Sequence, residues 1–454
     1  MKKVRPALLK GFDQEFLPQE QLQFNALVDL IRRNFERFGF LPIETPSAER
    51  IEVLTSKGGS EKEIYALSRL AAADDDEAAA KGALRFDLTV PLARYVAMRE
   101  RELAFPFRRY QIQRVWRGEN PQVKRGRFRE FYQCDIDIIG RETLSYLAEA
   151  EIPSVIYSVF REMAIGDFRI RINNRKVLKG ILRHFDVPDT RSSDVLRALD
   201  KIDKQDERSI LAELEQQGLA AKAARELYGV VRTERESDET LALLAELGYR
   251  NETYAQGVDE LGKMVGAIRQ FGVPESAFAV DLGVVRGLDY YTGTIYETTL
   301  TGHPDIGSIC SGGRYDDLAS YFTNTRLPGV GISIGLSRLF ARLKEADLLR
   351  PLVRTPAEVL VTTLDPDSLE RYLRIAATLR AQDINTEVYL ERAKIGKQFE
   401  YAGRKGFRIA VTAGSDEFSR GTVKLKDLAT QAESDVPLDQ VADRVKHLLN
   451  SKAH

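Results

Sequence analysis

The stretch Arg286-Gly287-Leu288-Asp289-Tyr290-Tyr291-Thr292-Gly293 gathers one permanent positive charge, two phenols and two glycines. Arginine offers a rigid fork for phosphate or carboxylate and does not deprotonate. Tyrosine joins a flat apolar face to a hydrogen-bonding tip, and glycine lets a backbone approach a ligand closely. The combination suits a pocket that holds a small polar molecule beside a phosphate. The same residues also fit an ordinary turn between the apolar run 278–285 and the strand-like Thr294-Ile295-Tyr296-Glu297. The octapeptide alone does not choose between these.

Two further clusters carry compatible chemistry. Arg117 and Glu119 end one β-type segment, while Arg127 and Arg129 open the next, across a tip containing Gly118, Asn120, Pro121 and Gly126. Glycine, asparagine and proline mark a loop, so the pattern predicts an antiparallel hairpin with a long basic tip. Converging arginines suit a polyphosphate, and Phe131 could stack a base. Gln133, Asp135 and Asp137 alternate along one strand face. A surface hairpin laced with salt bridges would show the same residues. In Leu327-Pro328-Gly329-Val330-Gly331-Ile332-Ser333-Ile334-Gly335-Leu336-Ser337-Arg338-Leu339, a glycine-containing strand runs into a helix bearing Arg338 in its first turn. This spacing fits neither a Walker loop nor a dinucleotide fingerprint.

The elements that must position these groups follow from periodicity. Gln19 to Phe38 has apolar residues at near-helical spacing, with Gly39 ending the helix. Phe40 to Pro46 reads as a short edge strand, because proline is tolerated there. Ala71 to Gly82 is compositionally biased and reads as a surface loop or short helix. A charged, helix-rich stretch over 174–274, with caps such as Ser192-Ser193-Asp194, reads as an insertion. Residues 349–356 read as a linker. Strand–helix alternation beyond them predicts a small α/β domain. The division is thus 1–350 and 351–454.

Composition excludes several classes. Lys plus Arg number 67 against 68 for Asp plus Glu, which does not advertise nucleic-acid binding, although Arg101 to Glu130 is locally basic. No apolar run is long enough for a membrane helix, and the start lacks the apolar stretch of a signal peptide. A cytoplasmic protein is the expectation. Cys134 and Cys310 are the only cysteines, and the four histidines lack metal-ligand spacing, so no zinc site is expected.

Taken together, the chain resembles the class II aminoacyl-tRNA synthetases, and among them the histidyl-tRNA synthetase family. Pro46 after the amphipathic helix is similar to the first class motif. Arg114 to Gly140, with Arg117-Gly118-Glu119 and Gly126-Arg127-Phe128-Arg129-Glu130-Phe131, resembles the second, and Pro328 to Arg338 the third. The opening octapeptide and Gly312-Gly313-Arg314-Tyr315-Asp316 match the two signatures particular to the histidyl family. In the last domain, Lys397 to Ala402 and Gly421 to Leu428 resemble the family's anticodon-binding domain.

The resemblance implies an α+β fold: an antiparallel sheet flanked by helices, a helical insertion and a C-terminal α/β anticodon-binding domain. It implies activation of L-histidine by ATP to histidyl-adenylate and pyrophosphate, then transfer to tRNA(His), in a homodimer, with Mg²⁺ on the phosphates. By the same likeness Arg117 and Arg286 flank the α-phosphate and are the catalytic pair. Arg127 and Arg338 hold the other phosphates, Glu119 contacts the adenine side and Phe131 stacks on it. Asp87, Thr89 and Gln133 hold the α-ammonium; Asp137 and Tyr291 address the imidazole nitrogens; Tyr290 and Tyr315 line the pocket. Lys394, Lys397, Arg404 and Lys405 are within the anticodon-like domain and could meet phosphates.

Two departures stand out. Ser337 replaces a glutamate common before the third-motif arginine, and the hairpin tip 120–126 is longer than in some bacterial relatives. The regulatory subunit of ATP phosphoribosyltransferase shares the catalytic fold but normally lacks the last domain and tends to lose residues needed for aminoacylation. A synthetase-derived RNA-binding module is the third reading. Retention of Arg117, Arg286 and Arg338 argues against both.

Overall fold

The computed structural model describes residues 4–56, 61–69, 81–232, 235–287, 290–317, 319–349 and 354–451. Most of the biased segment Ala71 to Gly82, Leu288 and Asp289 of the octapeptide, and 350–353 of the linker lie outside them. Backbone contacts divide the chain into two compact units, 1–14 with 27–349 and 15–26 with 350–454.

The first unit is built on an eight-stranded sheet. Its strands are β1 (Leu41–Pro42), β4 (Phe107–Trp116), β5 (Glu130–Ile139), β6 (Phe168–Asn174), β7 (Phe278–Val280), β8 (Thr294–Leu300), β9 (Ser308–Tyr315) and β10 (Gly329–Ile334), in the order β1-β4-β5-β10-β9-β8-β6-β7. The six central strands are antiparallel, and the outermost pairings, β1 with β4 and β7 with β6, are parallel. A smaller ribbon pairs β2 (Ala48–Arg50) with β3 (Gly82–Leu84).

The sheet is buried on both faces. The helix Tyr146–Met163 packs on β6, β9 and β10 and buries Ile152, Val155, Ile156, Val159 and Phe160. Each such side chain contributes roughly 1.5–3 kcal/mol of burial. Tyr296 donates to the Glu149 carbonyl on that helix at 2.7 Å, so Glu297, next along β8, faces the other side. That other side carries the polar cavity. The octapeptide is not a hairpin turn, because β6 lies between β7 and β8. The apolar run after Phe278 ends as a strand at Val280, where Asp281 turns back and accepts from Gly283 N at 2.8 Å.

Among the described residues, six α-helices lie between β6 and β7: Arg175–His184, Asp189–Leu199, Glu207–Gln216, Ala221–Val231, Ser237–Leu247 and Glu252–Gln270. Asn174, Asp206 and Asn251 cap three of them through side-chain oxygens. Ser192-Ser193-Asp194 is not a cap, contrary to expectation. Pro188 is the N-cap of that helix, four residues before Ser192, and Ser192 Oγ donates to the Pro188 carbonyl at 3.2 Å.

The second unit contains β11 (Val359–Val361), β12 (Thr386–Val388), β13 (Ile409–Thr412), β14 (Thr422–Asp427) and β15 (Glu433–Pro437), ordered β12-β11-β13-β14-β15. The first three are parallel and the last two pairings antiparallel. β15 has no counterpart in the sequence reading, since only Val436 in it is buried and no apolar alternation marks it. Among the described residues no helix is long and apolar enough to cross a membrane.

Candidate functional site

A cavity of about 530 Å³ opens on the polar face of the large sheet. Its walls come from the hairpin, the octapeptide, β9 and the start of the helix Leu336–Glu345. All three sequence clusters therefore meet in one place.

One end of the cavity is cationic. Arg117, Arg127, Arg286 and Arg338 line it, and Arg342 joins them. Arg117 is held by donating from Nε to the Phe86 carbonyl at 3.0 Å, and its guanidinium lies 5.2 Å from the Phe131 ring centre. Arg286 pairs through Nε with Glu297 at 2.7 Å. Burial, and then the positive charges of Arg127, Arg286 and Arg342, hold the Arg338 guanidinium below its ordinary pKa. Such a gathering of like charge favours an anion beside Arg338, although Glu297 already pairs with Arg286, and Asp305 and Glu345 with Arg342. Glu119 lines the cavity with them.

Arg129 does not join this group. Its Nε donates to the Glu119 carbonyl at 3.3 Å, and its stem covers Gly11 of the N-terminal segment. Arg342 was missed although it stands one helical turn after Arg338, on the same face. Ser337 is wholly buried: it accepts from Tyr132 N at 2.9 Å and donates to Gln14 at 2.7 Å, tying the third cluster to β5 and the N-terminal segment.

The rest of the lining is mixed. Asp87, Thr89, Gln133, Tyr290 and Tyr291 belong to it, together with Asp135, Cys310 and Ser311. Asp87 accepts from Val90 N at 3.2 Å at the start of the helix Thr89–Arg99. Gln133 donates to Ser333 across to β10 at 2.8 Å. The Tyr290 and Tyr291 rings meet edge to face at 5.0 Å, and Tyr290 lies 5.5 Å from Tyr315.

Asp137 and Tyr315 lie beneath this lining. Tyr315 donates to Asp137 Oδ1 at 2.7 Å, and the buried Arg109 pairs with Asp137 Oδ2. Gly331 faces Asp137 across the strand pair, and a Cβ there would overlap the carboxylate. Asp135, two residues earlier on the same face, is the β5 carboxylate that lines the cavity. The Gln133–Asp135–Asp137 alternation placed it there; the family likeness alone did not.

Burial pushes the Asp135 carboxyl up to about 7 and Asp137 up to about 6, against the pull of Arg109 on both. For Asp135 the native pKa lies above the unfolded one, so the native state holds the extra proton between them. Its contribution to stability therefore falls as pH rises through that window. Asp135→Asn is expected to gain about 2 kcal/mol on wild type between about pH 5 and about pH 8. Urea unfolding at both pH values measures this, and a difference that stays flat would contradict it.

Gly287 has φ +65°, and a Cβ there would run into the Tyr291 ring. Gly287→Ala is expected to cost about 2–3 kcal/mol and to displace Tyr291. Thermal denaturation gives the first effect; weakened binding of the small ligand at this end gives the second.

In the second unit, Gln398 is structural. It accepts from Thr363 N at 2.9 Å and donates to the Thr363 and Ala393 carbonyls at 2.7 and 2.9 Å. Lys405 pairs with Glu387 at 2.9 Å, while Lys394, Lys397 and Arg404 are exposed.

A family model described as histidyl-tRNA synthetase matches residues 13–339, and one described as an anticodon binding domain matches 358–448. The histidine–tRNA ligase of Xanthomonas oryzae pv. oryzae is 50% identical over 459 aligned residues, covering 97% of each chain. The crystal structure of histidyl-tRNA synthetase from Nostoc sp. PCC 7120 superimposes with a TM-score of 0.90 at 40% identity, covering 98% of this chain and 100% of that one. A Bacillus halodurans C protein described as an ATP phosphoribosyltransferase regulatory subunit/histidyl-tRNA synthetase shares the fold at 19% identity, with a TM-score of 0.72 over 88% of this chain and 97% of its own.

Proposed function

The chain belongs to the histidyl-tRNA synthetase family, and from that premise we propose that this cavity joins L-histidine to ATP and passes the histidyl group to tRNA(His). The observation that carries the reading is the cationic end abutting a pocket of carboxylates and phenols within one cavity. The histidine carboxylate attacks the α-phosphorus, the bond to the pyrophosphate oxygen breaks, and histidyl-adenylate forms. The carboxylate is already a nucleophile, so the enzyme must bring two anions together and stabilise the charge that develops between them.

Arg117 and Arg286 take the α-phosphate from opposite sides. Arg127 and Arg338, with Arg342, take the β- and γ-phosphates. Adenine lies against Phe131, with Glu119 at its edge. Asp87, Thr89 and Gln133 receive the α-ammonium. The imidazole meets Tyr291 and Asp135, with Tyr290 beside it and the Asp137–Tyr315 pair supporting the pocket from beneath. A carboxylate at one ring nitrogen and a phenol at the other fix orientation and tautomer. Analogues that lack these partners leave buried groups unpaired and are rejected.

Mg²⁺, if bound with ATP, would add positive charge to the polyphosphate beside Arg127, Arg338 and Arg342. Among the described residues no group of three or more His, Cys, Asp or Glu side chains forms a cage for it. The second unit binds the anticodon arm, with Lys394, Lys397, Arg404 and Lys405 available to phosphates. The active form is a homodimer that works in the cytoplasm. The edge strand β1 supports this assembly, with Leu41 61% exposed. Charging of tRNA(His) by the purified chain with ATP, Mg²⁺ and radiolabelled histidine tests the whole proposal. Acid-stable histidyl-tRNA is expected, and its absence with intact tRNA would refute the assignment.

A further inference from the structure

Glu297 sits where β8 borders the cavity, with its side chain 5% exposed and two arginines upon it. Its Oε1 meets Arg286 Nε at 2.7 Å, and its Oε2 meets Arg171 Nη1 at 3.4 Å. Arg171 is its direct cross-strand neighbour on β6, and Ser311 of the cavity wall is its neighbour on β9. Pairing through Nε leaves both terminal amino groups of Arg286 for the cavity it lines.

Arg171 does more than neutralise Glu297. Its Nε grips Asp281 at 2.6 Å, at the start of the loop that leads to Arg286, and its Nη1 reaches Asp203 at 2.8 Å. Asp203 lies between the helices Asp189–Leu199 and Glu207–Gln216, and its other oxygen accepts from Arg232 at 3.2 Å. A continuous chain of charge pairs therefore runs from the helical insertion to the cavity.

We infer that Glu297 is a positioning residue for Arg286, and that the series Arg232–Asp203–Arg171–Glu297–Arg286 couples the seating of the helical insertion to activation at the α-phosphate. The inference rests on the role given to Arg286 under Proposed function. A carboxylate serves both arginines, one per oxygen. An amide has a single acceptor oxygen and turns its NH₂ against the other guanidinium. Loss of either end of the series lets Arg286 leave the angle that the phosphate requires, and small misplacements are costly in such steps.

The test uses the full-length protein, ATP, Mg²⁺ and histidine, with adenylate formation followed in single turnover and by pyrophosphate exchange. Glu297→Gln is expected to lower kcat about ten- to a hundredfold while KM for histidine moves less than about threefold. Asp203→Asn removes a partly exposed acid far less disruptive to folding, and is expected to lower kcat about threefold or more. In the Glu297→Gln background, Asp203→Asn should add nothing, because the series is already broken. Multiplying effects, or an Asp203→Asn variant with wild-type kcat, would overturn the coupling. A Glu297→Gln variant with wild-type kcat would overturn the positioning role. Wild-type protein without exchange would instead defeat the reading of the cavity, and this inference with it.

Discussion

Arg286→Ala is expected to lower histidine-dependent adenylate formation by about a hundred- to a thousandfold, as loss of one preorganised charge donor does elsewhere. The cause is specific. Arg286 lies in the cationic end of the cavity and is aimed by Glu297 through Nε. Its removal leaves Glu297 paired with Arg171, so the buried carboxylate keeps a counter-charge and the loss of stability stays within about 1–3 kcal/mol. The fold and the oligomeric state should therefore match wild type by circular dichroism and gel filtration. Near-normal single-turnover activation by this variant would contradict the role given to Arg286.

Arg338→Ala should separate binding from stability. Arg338 is half-buried, and its burial with the positive charges of Arg127, Arg286 and Arg342 outweighs the pull of Glu119 on it. Truncation is expected to leave the melting temperature of the empty protein unchanged or raised, while KM for ATP rises about thirtyfold or more. Stabilisation by added ATP, which follows from ligand binding to the native state alone, should largely vanish. A variant that melts much lower without ATP yet keeps its ATP affinity would show that Arg338 serves packing and not phosphate.

Much of the site was legible because its groups sit in short, dense clusters. The hairpin alternation put Gln133, Asp135 and Asp137 on one face of β5, and the cavity lies on that face. Arg342 was legible too, one turn beyond Arg338, but the likeness to the family drew attention only as far as Arg338. Arg129 misled for the opposite reason. Local charge density placed it with the phosphate-binding arginines, whereas a contact with Gly11, distant in sequence, claims its stem.

What could not be read were pairings between distant strands. Tyr315 of β9 reaches Asp137 of β5, 178 residues away in the chain. Such partners follow from sheet order, which no local period encodes. The same limit hid the separation of β7 and β8 by β6, so that the two do not pair as a hairpin. In the second unit the parallel core was readable from strand–helix alternation, while β15, with one buried residue, gave no period to detect.

The family match over 358–448 carries the likeness through the second unit. The central claim is that one cavity recognises histidine and activates it on ATP. Pyrophosphate exchange into ATP, run with each amino acid in turn and with Mg²⁺, measures that step without tRNA. Exchange that depends on L-histidine and is lost in Arg286→Ala is the predicted result. No exchange with histidine, or equal exchange with another amino acid, would contradict it.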